Sequence, residues 1–91
     1  LTASGVYDIT SYDNHQAPGL DIHEMGGCRM GVNPNESILN EMNQMHQCKN
    51  VFVTDGASMV STSTQNPSLT FMALTARAAN HAVEELKKGN I

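Results

Sequence analysis

Only one long stretch of this chain carries a helical period, and only one short stretch reads as a strand. Leu69, Met72, Ala73, Ala76, Ala79, Ala82, Val83 and Leu86 recur at steps of three and four. That spacing makes one apolar stripe along a helix. Asn66 is a preferred N-cap type, and Pro67 suits the first helical position. Lys87 and Lys88 suit the negative end of the helix dipole, and Gly89 stops the helix. The strand candidate is Val51-Phe52-Val53, ended by Asp55-Gly56. Consecutive apolar residues predict a strand covered on both faces, as in a parallel sheet. One strand cannot pair with itself, and an alanine-rich stripe asks for close contact with another element. The pattern therefore predicts α/β architecture: mostly loop, one buried strand and a long final helix, as the last part of a larger protein.

The rest of the chain is weaker in pattern. Residues 1–20 read as extended or loop, with Val6 and Ile9 alternating before Pro18-Gly19 breaks the run. Leu20 to Met25 read as a short strand entering a glycine loop, and Asn33-Pro34-Asn35 as a turn. Residues 37–50 fit either a short helical turn or an irregular crossover. The chain has 91 residues, 40% hydrophobic but only 4% aromatic and without Trp, which argues against independent folding. The net charge is −4 and the five basic residues form no cluster beyond Lys87-Lys88, which argues against nucleic-acid binding. No apolar run approaches the ~20 residues of a membrane span.

The chemistry concentrates in "HEMGGCRMG", residues 23–31. A zinc site from His23, Cys28, His46 and Cys48 is disfavoured, because neither pair has the short gap that lets one turn present two ligands. Cys28 activated by His23 has no evident acid partner. "GGCRMG" is too short for a P-loop. Cys28 and Cys48 read as free and mostly buried thiols. On residues alone, the glycines allow a tight backbone beside a neighbour, and Arg29 makes a salt bridge.

Three blocks shift that balance. "HEMGGCRMG", "KNVFVTDGASM" and "STSTQNPSLTFMALTARAA" occur in this order. Together they resemble the C-terminal signature of the glucose–methanol–choline (GMC) family of FAD-dependent oxidoreductases. Their wording is most similar to bacterial sugar dehydrogenases of the gluconate 2-dehydrogenase and glucoside 3-dehydrogenase group. The resemblance implies the C-terminal fragment of a two-domain, Rossmann-like FAD-binding enzyme. Residues 1–50 would belong to the substrate domain and active-site loop. Residues 51–91 would return to the FAD-binding domain as a strand and helix. The family's Gly-x-Gly-x-x-Gly fingerprint would lie upstream, in the missing N-terminal part of the same polypeptide.

The resemblance also implies roles. His23 matches the active-site base that takes the proton of a sugar or polyol hydroxyl while hydride passes to flavin N5. Asn66 matches the second catalytic residue; an amide can donate to the substrate oxygen but is no base at neutral pH. Asp55 and Gly56 match a strand end near FAD, and Asn66, Pro67 and Ser68 match the helix start facing the flavin. Arg29 and Met30 match structural positions. Gly27 stands where many relatives have Thr. An electron-acceptor subunit is a further implied partner. The isolated chain is expected to be inactive; the alternative is a structural module with no activity of its own.

Overall fold

The computed structural model describes residues 1–20 and 22–91. The dominant element is helix α1, Ser68–Lys88. It ends as the sequence predicts. Gly89 adopts φ 74°, ψ 24°, its N–H donates to Leu86 O at 3.1 Å, and Asn90 N–H donates to Glu85 O at 2.9 Å. This is the Schellman arrangement, which satisfies the last carbonyls of the helix. Hydrogen bonds from Asn90, then from Lys88, hold the Glu85 carboxyl below the ordinary carboxylate value. The start differs from expectation by one residue. Pro67 occupies the N-cap position and Asn66 precedes it, with no side-chain cap bond. Proline disfavours helical dihedrals in the residue before it, so Asn66 stays outside the helix.

The helix buries a different face from the predicted stripe. Ala78 is 1% exposed, and Phe71, Leu74, His81, Ala82 and Glu85 are half-buried around it. Leu69, Met72, Val83 and Leu86 remain 78%, 68%, 51% and 64% exposed. Only Ala82 belongs to both faces. At about 100° per residue, the two faces point to largely different sides of α1. Packing within the chain is decided by what the 39–54 segment offers: the Phe52 ring meets His81 edge-on at 6.3 Å.

No strand forms among the described residues. Isolated bridges join Met30 to Leu39, Leu39 to Met45, and Gln44 to Phe52, the last two antiparallel. The predicted both-face-buried strand at Val51–Val53 is thus corrected. Met45 N–H donates to Val51 O and Val53 N–H to Asn43 O, so the segment pairs on one side as a short antiparallel return. Val51 is 39% exposed. Residues 37–50 follow the irregular-crossover alternative. The predicted strand from Leu20 to Met25 includes Asp21, outside the described residues; residues 22–25 are not a strand. Residues 1–20 are exposed throughout, with one 3-10 turn at Thr2–Ser4. Among the described residues no helix is long and apolar enough to cross a membrane.

The small core is half polar. Leu39 and Ala78 are its buried apolar residues, beside buried Asn43, Gln44 and Ser58. Asn43 is the hub. It sits in the left-handed region at φ 62°, which asparagine tolerates better than most residues. Its Nδ2 donates to Val53 O at 3.0 Å. From α1, Arg77 donates to the Glu41 carbonyl and reaches Asn43 Oδ1. Asn43→Ala strips these buried bonds and strains a left-handed position. It should cost the full-length protein roughly 2–4 kcal/mol by denaturant unfolding. An unchanged unfolding midpoint would remove Asn43 from that role. The Cα radius of gyration, 18.4 Å, exceeds the ~12 Å of a compact domain of this length.

Candidate active site

Three segments meet at Gly56. Asp55 adopts extended dihedrals and its Oδ1 accepts from Ala57 N–H at 2.9 Å, capping the 3-10 turn Gly56–Ser58. Buried Ser58 tightens that turn by donating from Oγ to Asp55 O at 2.9 Å. A Cβ at Gly56 would stand 3.2 Å from Met25 Sδ, and 3.3 Å from both Glu24 O and the Phe71 ring. Glycine is therefore required here by close approach of this chain's own groups. The loop after His23 continues along the same turn. Cys28 N–H donates to Ala57 O and Met30 N–H to Ser58 O, both at 2.9 Å. A cleft of about 500 Å³ follows, lined by Glu24, Met25, Gly27, Asp55, Gly56 and Ala57.

The residues singled out from sequence fall unevenly around this junction. His23 is half-buried, one residue ahead of the Glu24–Met25 contact. Pro67 is buried at the head of α1, while Asp55, Asn66 and Ser68 are exposed. The His23 loop, the Asp55–Gly56 turn and the first turn of α1, through Phe71, are brought together. Asn66 ends the exposed polar segment 61–66 and lies outside the walls of the cleft.

Arg29 is exposed, and its Nε donates to the Glu36 carbonyl at 3.0 Å. Cys28 and Cys48 are free thiols, but Cys28 is only half-buried and Cys48 is exposed, which corrects the expectation of burial. Both sit in short turns held by backbone bonds, Cys28 N–H to Ala57 O and Val51 N–H to Cys48 O, which leave no apolar layer over either thiol. Among the described residues no three His, Cys, Asp or Glu side chains gather as a metal-ligand set. Phe71 and Gly31 lie inside the quoted blocks but have no role implied there, and Ser37 and His46 lie outside them. The short Gly31 to Ser37 spacing around Asn33-Pro34 was the only hint of a tight reversal.

The start of α1 has its own electrostatics. Phe71 N–H donates to Pro67 O at 3.0 Å, the first bond of the helix. The preceding N–H groups at Ser68, Leu69 and Thr70 have no intrahelical acceptor. No acidic residue lies in the first turn and no side chain caps it. The positive end of the dipole is therefore left uncompensated by the helix's own first turn.

The GMC oxidoreductase pattern matches residues 5–75. Over 59 residues the chain is 42% identical to a 2-methyl-1,2-propanediol dehydrogenase of Mycolicibacterium austroafricanum, covering 65% of this chain and 11% of that protein. It is 37% identical over 67 residues to the fructose dehydrogenase large subunit of Gluconobacter japonicus, covering 74% and 12%. A cholesterol oxidase of Acinetobacter baumannii is 37% identical over 68 residues, covering 69% and 12%. The chain thus spans about a tenth of the length of the curated relatives it matches. The pattern covers both the His23 loop and the head of α1, and with it the chain belongs to the GMC oxidoreductases, within their C-terminal domain.

Proposed function

We propose that this chain is the active-site end of an FAD-dependent enzyme that oxidises a CH–OH group of a sugar or polyol. The observation that carries the reading is the junction at Gly56, where the His23 loop, the Asp55 turn and the head of α1 close on one another. The names of the relatives span a diol, a sugar and a sterol, and the hydroxyl-bearing carbon is what they share. The diol and fructose dehydrogenases favour a small polar substrate.

The residues fit a flavin on one structural ground. The first turn of α1 is exposed at Ser68, Leu69 and Thr70, carries no acid and has no side-chain cap. Such an end suits the electron-rich edge of an anionic ring. FAD, when bound, supplies the acceptor for the hydride of the carbinol carbon. In this reading the His23 imidazole takes the hydroxyl proton, because a neutral ring nitrogen can accept one. The Asn66 amide donates a hydrogen bond to the same oxygen and orients it. Asp55, Gly56 and Pro67–Ser68 line the cofactor. The exposed stripe Leu69, Met72, Val83 and Leu86 packs on the FAD-binding domain, to which residues 51–91 belong, and residues 1–50 belong to the substrate side. A separate electron-acceptor subunit would take the electrons onward.

Native full-length protein should carry FAD through purification, and its Asp55→Ala variant should lose FAD on dilution and gel filtration. The carboxylate caps the Gly56–Ser58 turn, and in this reading it also lines the cofactor. A full-length protein with no bound flavin would contradict the proposed activity. A variant retaining full occupancy would remove Asp55 from the cofactor site.

A further inference from the structure

The loop that follows His23 is anchored at its far end by a histidine that the proposed chemistry does not use. His46 is half-buried. Its backbone N–H donates to Ile38 O at 3.1 Å. Its Nε2 lies 3.1 Å from Gly31 O and 3.2 Å from Ser37 Oγ. These partners assign the tautomer. A carbonyl oxygen only accepts, and Ser37 Oγ donates its one hydrogen to Asn33 O, 2.7 Å away. Both groups therefore accept from a protonated Nε2. The neutral Nε2–H tautomer and the imidazolium can each supply that hydrogen.

The cluster leaves little slack. A Cβ on Gly31 would come within 2.8 Å of Ser37 Cβ and 2.9 Å of its Oγ. Gly31 N–H donates to Leu39 O at 2.8 Å, so both backbone polar groups of Gly31 are held. On the other side of the loop, Cys28 and Met30 bond the Gly56–Ser58 turn. The loop is thus fixed against the turn along its length and against His46 at its end.

We propose that His46, acting with Ser37, is a positioning residue for the oxidation: it holds Gly31 and so sets the placement of the loop that His23 opens. The inference rests on the reading of His23 as the base. Small displacements of a reacting group are expensive, of order 100-fold for about 1 Å.

The test compares His46→Gln with His46→Asn in the full-length enzyme. Glutamine can bring an amide N–H to the position of Nε2; asparagine is one methylene too short. Two quantities are read: amide hydrogen exchange across residues 26–31, and the anaerobic rate of flavin reduction at saturating sugar or polyol. His46→Asn should speed exchange at these amides. It should slow reduction by roughly 10- to 100-fold with little change in half-saturating substrate. His46→Gln should restore both. Unchanged exchange in His46→Asn, faster exchange with an unchanged rate, or no rescue by His46→Gln would each overturn the proposal. His23→Ala, measured alongside, separates the two readings. If it leaves the rate unchanged, the base assignment fails and takes the catalytic role of His46 with it. The exchange data still report whether His46 holds the loop.

Discussion

The isolated 91-residue chain should show no cooperative thermal unfolding transition. Its apolar core consists of Leu39 and Ala78. Full burial of a large aliphatic side chain is worth about 1.5–3 kcal/mol, and an alanine less. Ordering the backbone costs about 1–2 kcal/mol per residue, so two such residues cannot hold the chain. The antiparallel return at 43–53 has a single bridge, and a two-stranded unit is marginal in water. Helix α1 keeps Leu69, Met72, Val83 and Leu86 in solvent, and most helical stability comes from packing a face. Far-UV circular dichroism of the monomer should show partial helicity that declines gradually on heating. A sharp transition at high temperature would mean that the chain folds alone, and would count strongly against its being one part of a larger fold.

The exposed stripe also shows what could be read from sequence. The existence of α1, its Gly89 stop and its terminal lysines were legible because each depends on neighbours in sequence. The face buried within the chain was not. The three-and-four period marks every apolar residue alike, whereas the contact is chosen by Phe52 meeting His81 and by Arg77 reaching Glu41 and Asn43. Leu69, Met72, Val83 and Leu86 form the stripe that sequence marks most clearly, and among the described residues it stays exposed. Val51–Val53 failed as a strand for a related reason. Three apolar residues in a row record two covered faces, and among the described residues the segment pairs along 43–45 on one side.

The site was legible at the level of motifs and illegible in its supports. The His23 loop, the Asp55-Gly56 turn and the head of α1 were each marked by residue type and spacing. The motif implies a cofactor close to Gly56; the crowding at Gly56 within this chain comes from Met25, Glu24 and Phe71. Asn43 leaves no periodic trace, because a buried left-handed asparagine is defined by partners in Val53 and Arg77. Sequence alone offers His46 only as a metal ligand. Its true neighbours, Gly31 and Ser37, lie across a turn that sequence suggests but does not measure.

In the full-length enzyme, His23→Ala should slow flavin reduction far more than Asn66→Ala. Loss of a positioned base costs on the order of 100- to 10,000-fold. Loss of the Asn66 amide deletes one hydrogen bond to the substrate oxygen and leaves the proton acceptor in place. The two variants can be compared cleanly because Asn66 makes no cap bond to α1, so its removal does not loosen the helix start. Neither side chain belongs to the bonds that hold the loop to Ala57 and Ser58, which are made by the backbone of Cys28 and Met30. Stopped-flow bleaching of the flavin at saturating sugar or polyol, with FAD content and melting temperature checked in both variants, tests directly whether His23 takes the proton. The predicted result is that His23→Ala is the slower of the two, with flavin retained. The contradicting result is Asn66→Ala slower than His23→Ala at equal flavin content and stability, which would assign the proton to a residue outside this chain.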